Sequence, residues 1–361
     1  MKKKSLYIHG SFMNDNFGDF LLYYVVAKYM EQQHPEVKVV SSNISDTYDE
    51  FININRVSKL NGFLKSDGIL LAGGGYFSQN PTRTNLWNLR FLFKHGLPLL
   101  SLGLIKKKYS IIGVGAGPLS NTINRFLTKH IFENGELVSV RDNESKDFLK
   151  GIGVSRNVEV TPDWVMGMDK SMLLGTKNLA LDFLSQFSYD EIFYVHLTTK
   201  KDDKGSGMEA VISDLIEYSN QHPKTLFIVG CDQKRESQEI RAKETVSRFT
   251  NGRAVFLPYK GPFFLSNIIN SSDVVVTDKL HVGIVGVKLE KYVVSVAFHT
   301  KTKRFYNMMK IPEQSKRLNS IQHGDVLNML ADRKVSSENV NYFIQKSKNN
   351  FKLLDDFVSK L

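Results

Sequence analysis

The chain has 361 residues, a length at which a single hydrophobic core usually gives way to two, so we expect two domains. Its one cysteine, Cys231, excludes an internal disulfide and fits a reducing, cytosolic compartment. A formal net charge of +11 predicts an anionic partner or anionic surroundings, but no stretch interleaves the lysines with the aromatic pattern of RNA-binding modules, so nucleic-acid binding is not expected.

Two apolar stretches bear on membrane attachment. The basic residues 2–4 are followed by a short strand-like run instead of a signal-peptide core, and residues 97–105 are about half as long as a bilayer-crossing helix. We therefore expect a cytoplasmic protein, either soluble or attached peripherally to the anionic inner face of the membrane through its lysine clusters.

Short β-branched runs alternate with longer amphipathic segments, which is the pattern of βα units around a parallel sheet. In the first half, the pattern predicts strands near 5–9, 37–41, 68–72, 110–114 and 137–140 and helices over 19–33, 122–134 and 145–150. After a linker at 162–175, it predicts strands over 192–196, 225–229, 254–256, 273–276 and 292–297.

The alternation therefore predicts an α/β protein with two βα domains that face a central cleft. We place the N-terminal domain at 1–165 and the C-terminal domain at 176–335. A helical stretch at 338–361 is expected to pack back on the first domain. Small-molecule sites commonly lie between two such domains.

Glycine-rich strand ends mark candidate ligand sites in the first domain. The loop 14–19 precedes an apolar helix, so Gly18 permits a tight turn and the helix N-terminus can bind an anion or a sugar hydroxyl; Asp19 as a helix cap is the structural alternative. Residues 73–75 and 113–117 repeat the glycine pattern after later strands. None of these loops has the spacing of a Walker or dinucleotide site, so nicotinamide chemistry is not expected.

Arg141 and His281 are the side chains best suited to chemistry. Arg141 ends a predicted strand, where its guanidinium can hold a carboxylate or phosphate, or else pair with Asp142, Glu144 or Asp163. His281, two residues after Lys279, places an acid/base group beside a cation, although a lone histidine there can also be structural. His9, His196 and Cys231 also end strands, but no local pattern gives them a role and no metal-ligand spacing joins them.

Taken together, these motifs resemble the polysaccharide pyruvyl transferase family over about residues 7–305. They are, in order, Asn16-x-Gly18-Asp19, Gly73-Gly74-Gly75, Gly113-x-Gly115-x-Gly117-Pro118, Ser139-Val140-Arg141-Asp142 with Ser145 and Gly151, Pro162-Asp163, and Lys279-Leu280-His281. The resemblance implies a GT-B-like fold of two Rossmann-type domains. It also implies pyruvyl transfer from phosphoenolpyruvate to sugar hydroxyls, forming a cyclic ketal on a surface polysaccharide, such as a capsule or cell-wall glycan, or on its lipid-linked precursor.

The resemblance also assigns roles to residues. His281 corresponds to the catalytic histidine, and Arg141, Lys279 and Leu280 correspond to the donor site. Asn16, Gly18, Asp19, Gly74 and Gly75 are expected to bind the acceptor, a glycan or lipid-linked oligosaccharide. No metal and no cofactor is expected, since phosphoenolpyruvate is a substrate.

This chain departs from the family pattern at three places. Lys279 stands where family members usually carry arginine, and Val282 stands where they usually carry glycine. A further donor-site histidine near Gly75 has no clear counterpart; Arg83, Arg90 and His95 are the candidates.

Two other functions fit the same residues. A GT-B glycosyltransferase with a nucleotide-sugar donor would use the same glycine loops and terminal helix. A glycan-binding or membrane-surface scaffold without catalysis would instead rely on the lysine clusters and would bind anionic vesicles in a salt-sensitive way.

Overall fold

The computed structural model describes residues 3–13, 15–79, 84–197 and 206–361. The chain divides into two compact units. The first comprises Met1–Asp15, Asp19–Gly167 and Phe343–Leu361, and the second comprises Asn16–Gly18 and Met168–Tyr342.

The first unit contains a parallel sheet of six strands. They are β1 (Ser5–His9), β2 (Lys38–Ser41), β3 (Gly68–Ala72), β4 (Tyr109–Val114), β5 (Val138–Val140) and β6 (Glu159–Val160), in the order β2-β1-β3-β4-β5-β6. Residues of β1, β3 and β4 are almost all buried, because helices cover both faces of a parallel sheet. The five strands predicted here are confirmed; the edge strand β6 has only two residues, too few for a periodic signal.

The described residues of this part of the chain form the following α-helices. They are α1 (Phe17–Gln33), α2 (Lys59–Lys65), α3 (Thr84–Phe91), α4 (Leu97–Leu104), α5 (Thr122–Asn134), α6 (Asn143–Gly151) and α7 (Trp164–Gly167). A π-helical turn, Leu92–Gly96, joins α3 to α4. Helix α6 begins two residues before its predicted start, because the Asp142 carboxylate caps it by accepting from the Ser145 N–H at 2.7 Å.

The second unit repeats the plan with a second parallel sheet. Its strands are β7 (Glu191–His196), β8 (Thr225–Gly230), β9 (Ala254–Leu257), β10 (Val274–Thr277), β11 (Tyr292–Ala297) and β12 (Ser315–Arg317), in the order β12-β11-β10-β7-β8-β9. Its helices are α8 (Lys170–Leu174), α9 (Leu181–Leu184), α10 (Ser206–Gln221), α11 (Glu236–Val246), α12 (Pro262–Ser271), α13 (Leu280–Lys288), α14 (Thr300–Met308) and α15 (Asp325–Ala331). The five strands predicted in this half are confirmed, and the short, polar edge strand β12 was not predicted.

The C-terminal stretch consists of two helices, α16 (Ser337–Ser347) and α17 (Asn349–Val358), where the sequence predicted one helical run. Side chains on either side of the break hold the loop before α7. The Ser347 hydroxyl donates to the Asp163 carbonyl and the Asn350 amide donates to the Pro162 carbonyl, each at 2.7 Å. These contacts attach the chain terminus to the first unit.

Candidate functional site

The strand order of the first unit indicates where its ligand site lies. From β1 the chain proceeds to β2 on one side and then to β3 on the other, so the carboxyl ends of β1 and β3 flank a topological switch point. His9 ends β1, and Gly73, Gly74 and Gly75 directly follow β3. Gly73 and Gly74 have φ angles of +47° and +79°, which residues with a side chain rarely adopt. The predicted glycine loop therefore has a backbone conformation that favours glycine, with Gly73 buried and Gly74 and Gly75 half-buried at this edge.

Arg141 lies beside this loop, next to bare backbone. Its own N–H donates to the Val114 carbonyl at 3.0 Å, and its side chain is buried, with the residue 6% exposed. A Cβ added to Gly115 would lie 2.7 Å from the guanidinium nitrogens, whereas one added to Gly75 would lie 3.5 Å from Nη2. The position of the Arg141 guanidinium therefore requires glycine at position 115, and Gly75 is a second neighbour of the guanidinium.

The guanidinium has one carboxylate neighbour, Asp142. Arg141 Nε lies 3.6 Å from Asp142 Oδ2, while Asp142 Oδ1 accepts from the Ser145 N–H at 2.7 Å. The pair is longer than a charge-assisted hydrogen bond, and within the described ranges no other carboxylate comes within 4.0 Å of Arg141. A buried cation paired this loosely favours an additional anion beside it.

A pair of neutral histidines lies at the same edge. His9 Nε2 and His95 Nδ1 are 3.0 Å apart, so one ring donates and the other accepts. Burial lowers the pKa of His9 well below its ordinary value and that of His95 to about 3, and the charge of Lys59 adds to both effects. Both rings are therefore neutral at pH 7. His95 also stacks on Tyr76, the residue after the glycine loop, with ring centroids 4.9 Å apart.

The sequence did not predict that these two histidines form a pair. His9 and His95 were separate, unspecific candidates because they are 86 positions apart in the sequence. Of the other two donor-site candidates, Arg90 is exposed on α3, and Arg83 lies outside the described residues.

The second unit has its own switch point, between β7 and β10. The predicted motif begins there: Lys279 donates its N–H to the Thr277 hydroxyl at 3.0 Å, and α13 begins at Leu280. The Leu280 residue is 6% exposed, whereas Lys279 and His281 are half-buried. The leucine side chain therefore belongs to the core, and Lys279 and His281 are partly accessible, although His281 Nε2 itself is buried.

Residues 16–18 group with this second unit and lie against His281. The Phe17 N–H donates to the Asp232 carbonyl at 2.8 Å. A Cβ added to Gly18 would lie 2.2 Å from His281 Nδ1, so the contact requires glycine. Asp19 falls in the first turn of α1, which begins at Phe17, and not at the cap position. The structure thus brings Gly18 and His281 together, with Asn16 two residues away along the chain.

Beneath this motif lies a buried charge network that the sequence did not reveal. His196, which is 0% exposed, has Nε2 3.4 Å from Asp232 Oδ1 and Nδ1 3.6 Å from Asp278 Oδ1. Burial favours the neutral ring, but the two carboxylates outweigh it and raise the pKa of His196 to about 9. The same ion pair lowers the pKa of Asp232 to about 2 despite its burial. At pH 7 the site therefore contains a buried imidazolium between two carboxylates.

This network holds the segment that carries the motif. The Asp278 N–H donates to the His196 carbonyl at 3.1 Å, and Asp278 immediately precedes Lys279. Lys279 also contributes to the lowered pKa of Asp232. Three strand ends far apart in sequence thus fix the start of α13, which no local pattern could have indicated.

Cys231 has no reactive character. It is 2% exposed, and burial together with the charges of Glu239 and Asp232 raises its pKa to about 12, so the thiol stays protonated. Among the residues whose positions are described, no group of three or more His, Cys, Asp or Glu side chains is arranged to hold a metal ion.

Comparison with solved structures shows the fold. UDP-GlcNAc 2-epimerase from Methanocaldococcus jannaschii superimposes with a TM-score of 0.66 at 13% identity, covering 98% of this chain and 99% of that one. The Neisseria meningitidis UDP-GlcNAc 2-epimerase bound to UDP-GlcNAc gives 0.63 at 12%, covering 99% and 100%. Anabaena HepE in complex with UDP-glucose gives 0.56 at 12%, also covering 99% and 100%. These similarities and the two Rossmann-type sheets confirm the GT-B-like fold class.

Comparison of the sequence with known families is more specific than comparison of the fold. No curated protein matches the chain significantly. The family model for polysaccharide pyruvyl transferase matches residues 16–300, a range that includes the glycine loops, Arg141 and the Lys279–His281 motif. Because that match spans most of the chain, the protein belongs to the polysaccharide pyruvyl transferase family.

Proposed function

We propose that this protein transfers the pyruvyl group of phosphoenolpyruvate to two hydroxyls of a sugar, forming a cyclic ketal on a surface polysaccharide or its lipid-linked precursor. Membership of the family supports polysaccharide pyruvyl transfer in general. The observation that favours an anionic donor is Arg141, a buried and loosely paired guanidinium flanked by the bare backbone of Gly75 and Gly115.

Arg141 and Lys279 are proposed to neutralise the carboxylate and phosphate of the donor. A guanidinium presents a planar fork to either group, while an ammonium acts as a point charge. Because the Leu280 side chain is buried, its contribution would come from its backbone N–H at the first residue of α13, where a helix has unsatisfied donors.

His281 is proposed as the general acid. Its imidazolium proton moves to the methylene carbon of phosphoenolpyruvate, which becomes a methyl group and leaves the adjacent carbon electrophilic. An acceptor hydroxyl oxygen bonds to that carbon, and its proton returns to the imidazole. The bond between this carbon and the phosphate oxygen then breaks, and the oxygen of a second hydroxyl bonds to the carbon and closes the ketal. The proton of the second hydroxyl leaves with inorganic phosphate. No cofactor or metal enters this scheme.

The acceptor is proposed to bind Asn16, Gly18, Asp19, Gly74 and Gly75. Gly74 and Gly75 present bare backbone, and Gly18 lies against His281, so part of this set is close to the proposed acid. Gly75, which is proposed to bind the acceptor, is a neighbour of Arg141, which is proposed to bind the donor.

Glycosyl transfer from a nucleotide sugar is the second candidate. It is favoured by the similarity in fold to structures that hold UDP-GlcNAc or UDP-glucose. At 12% identity that similarity concerns the fold, so the donor has to be tested directly.

Thermal unfolding with phosphoenolpyruvate or UDP sugars separates the two donors. A ligand at about 100 times its Kd stabilises the folded state by about 2.7 kcal/mol. We expect phosphoenolpyruvate to stabilise the wild type but not Arg141→Ala, and to stabilise Arg90→Ala, a matched loss of an exposed arginine. Stabilisation by a UDP sugar alone would instead establish nucleotide-sugar binding.

Measurement of kcat tests the proposed role of His281 as general acid. We expect His281→Gln to retain the thermal response to phosphoenolpyruvate and to lose roughly 100-fold or more in kcat. A folded His281→Gln variant with near-normal kcat would show that another group donates the proton.

A further inference from the structure

One surface of the first unit is unusually apolar for a solvent-facing helix. Between Leu86 and Leu104, large exposed apolar side chains recur at intervals of three, four or seven residues, a spacing that aligns them along one side of a helix, and Ile105 directly follows the last of them. These six residues are 43–78% exposed, and we call them the apolar ridge: Leu86, Leu89, Phe93, Leu97, Leu104 and Ile105. The opposite side is also apolar, because Phe91, Leu99 and Leu102 are buried in the core.

Two neighbouring helices extend this surface. Helix α2 is tied to the ridge segment at both ends, since the Lys59 ammonium donates to the Lys94 carbonyl and the Lys107 ammonium donates to the Leu64 carbonyl. α2 contributes the exposed Leu60 and Leu64, which are 67% and 54% exposed.

Helix α5 lies on another side of the same segment. The Asn124 amide donates to the Asn88 side-chain oxygen at 3.0 Å, joining α5 to α3. α5 adds Ile123 and Phe126, which are 59% and 56% exposed. Three adjoining helices thus expose apolar side chains of the size that monomeric proteins normally bury.

The charge of this region has one sign. Between Arg56 and Glu133 the sequence contains a single acidic residue, Asp67, which accepts hydrogen bonds from the Ser5 N–H and hydroxyl. Exposed cations lie along the ridge segment and on α2 and α5: Lys65, Arg90, Lys94, Lys106, Lys108 and Arg125. Part of the net charge of +11 is therefore concentrated around the apolar side chains.

This combination indicates the chemistry of the partner. A second copy of the chain would bring like charges together across the interface, and a nucleic acid would leave the leucines without an apolar partner. An anionic bilayer satisfies both features, because its hydrocarbon boundary accepts the apolar side chains and its phosphates attract lysine and arginine. None of the described helices is long and apolar enough to cross a membrane.

We propose that the apolar ridge docks this protein onto an anionic bilayer surface. Leucine and phenylalanine side chains enter the interface, and the surrounding cations bind lipid phosphates. The proposal is independent of the proposed function, because vesicle binding requires no donor, acceptor or turnover.

Vesicle flotation of the full chain tests it, with phosphatidylcholine vesicles and with mixed phosphatidylcholine–phosphatidylglycerol vesicles. We expect binding to the mixed vesicles only, weakening as salt rises. Phe93→Ser with Leu104→Ser should lower the partition constant about tenfold or more. Lys94→Gln with Lys106→Gln should lower it roughly 30-fold, because each basic residue near an anionic surface contributes about fivefold.

Matched controls lie on the second unit. Leu181→Ser with Ile240→Ser replaces side chains of similar exposure, 59% and 49%, and Lys301→Gln with Lys303→Gln replaces another lysine cluster. We expect neither to change the partition constant. Equal losses in ridge and control variants, or no wild-type binding to mixed vesicles at low salt, would overturn the proposal. Sedimentation showing a dimer that Phe93→Ser with Leu104→Ser dissociates, without vesicle binding, would assign the ridge to a second copy instead.

Discussion

The buried imidazolium of His196 makes the stability of the second unit depend on pH. The pKa of His196 is raised from its ordinary value of 6.5 to about 9. At about 1.4 kcal/mol per pH unit, the ion pairs contribute roughly 3 kcal/mol. The lowered pKa of Asp232 describes the same interaction, so the two effects are not added.

The sign follows from which state binds the proton more tightly. Below about pH 6.5 both folded and unfolded chains carry the charged ring, so the contribution is fully present. Between about 6.5 and 9 the unfolded chain loses its proton first, and stability decreases as pH rises. Above about 9 the contribution is lost. The free energy of unfolding of the wild type should therefore fall by roughly 3 kcal/mol between about pH 6.5 and pH 9. His196→Gln should not show this decrease.

The replacement also leaves Asp232 and Asp278 buried without the cation, so His196→Gln should be destabilised by about 3 kcal/mol at neutral pH. Both tryptophans, Trp87 and Trp164, lie in the first unit and do not report on this one.

Urea unfolding should therefore be followed by alkylation of the buried Cys231, the only cysteine, and by circular dichroism. Each alkylation extent is scaled to the fully unfolded chain at the same pH. If the free energy of unfolding changed with pH in the same way in wild type and His196→Gln, the His196 ring would be neutral in the folded protein. That result would refute the predicted ion pairs. As a control, His222→Gln removes an exposed histidine of the second unit and should preserve the wild-type pH dependence.

Two glycine replacements test the geometry of the candidate sites. Gly115→Ala places a methyl group 2.7 Å from the guanidinium of Arg141, so phosphoenolpyruvate binding should weaken tenfold or more while the chain stays folded. Isothermal titration with phosphoenolpyruvate checks this, and unchanged affinity in a folded Gly115→Ala variant would show that the position of the guanidinium does not matter for donor binding. Gly18→Ala places a methyl group 2.2 Å from His281 Nδ1, so kcat should fall at least tenfold with a smaller change in phosphoenolpyruvate affinity. Wild-type kcat in a folded Gly18→Ala variant would show that the observed position of His281 does not matter for catalysis.

The sequence predicted ten of the twelve strands found in the part of the chain that the structure describes, because each is a short run of β-branched and aromatic residues between turns. Both missed strands, Glu159–Val160 and Ser315–Arg317, have three residues or fewer and depend on pairing to a longer neighbour. The order of the motifs also indicated the family, which the match to residues 16–300 confirmed.

Side-chain partnerships were not predictable in the same way. Arg141, Lys279 and His281 stood out because charged or titratable groups at strand ends carry a local signal. No local pattern joins His9 to His95, or His196 to Asp232 and Asp278. Such contacts form only when parallel strands align their carboxyl ends.

By itself the sequence determined the two α/β units, the glycine loops and the candidate cations, since periodicity, turn chemistry and charge are properties of neighbouring residues. The tertiary structure alone decided that His196 lies between two carboxylates, that Gly115 makes room for Arg141, and that exposed apolar side chains lie on adjoining helices. The physical reason is that burial and electrostatic coupling depend on distances between strands and helices, which sequence separation does not specify.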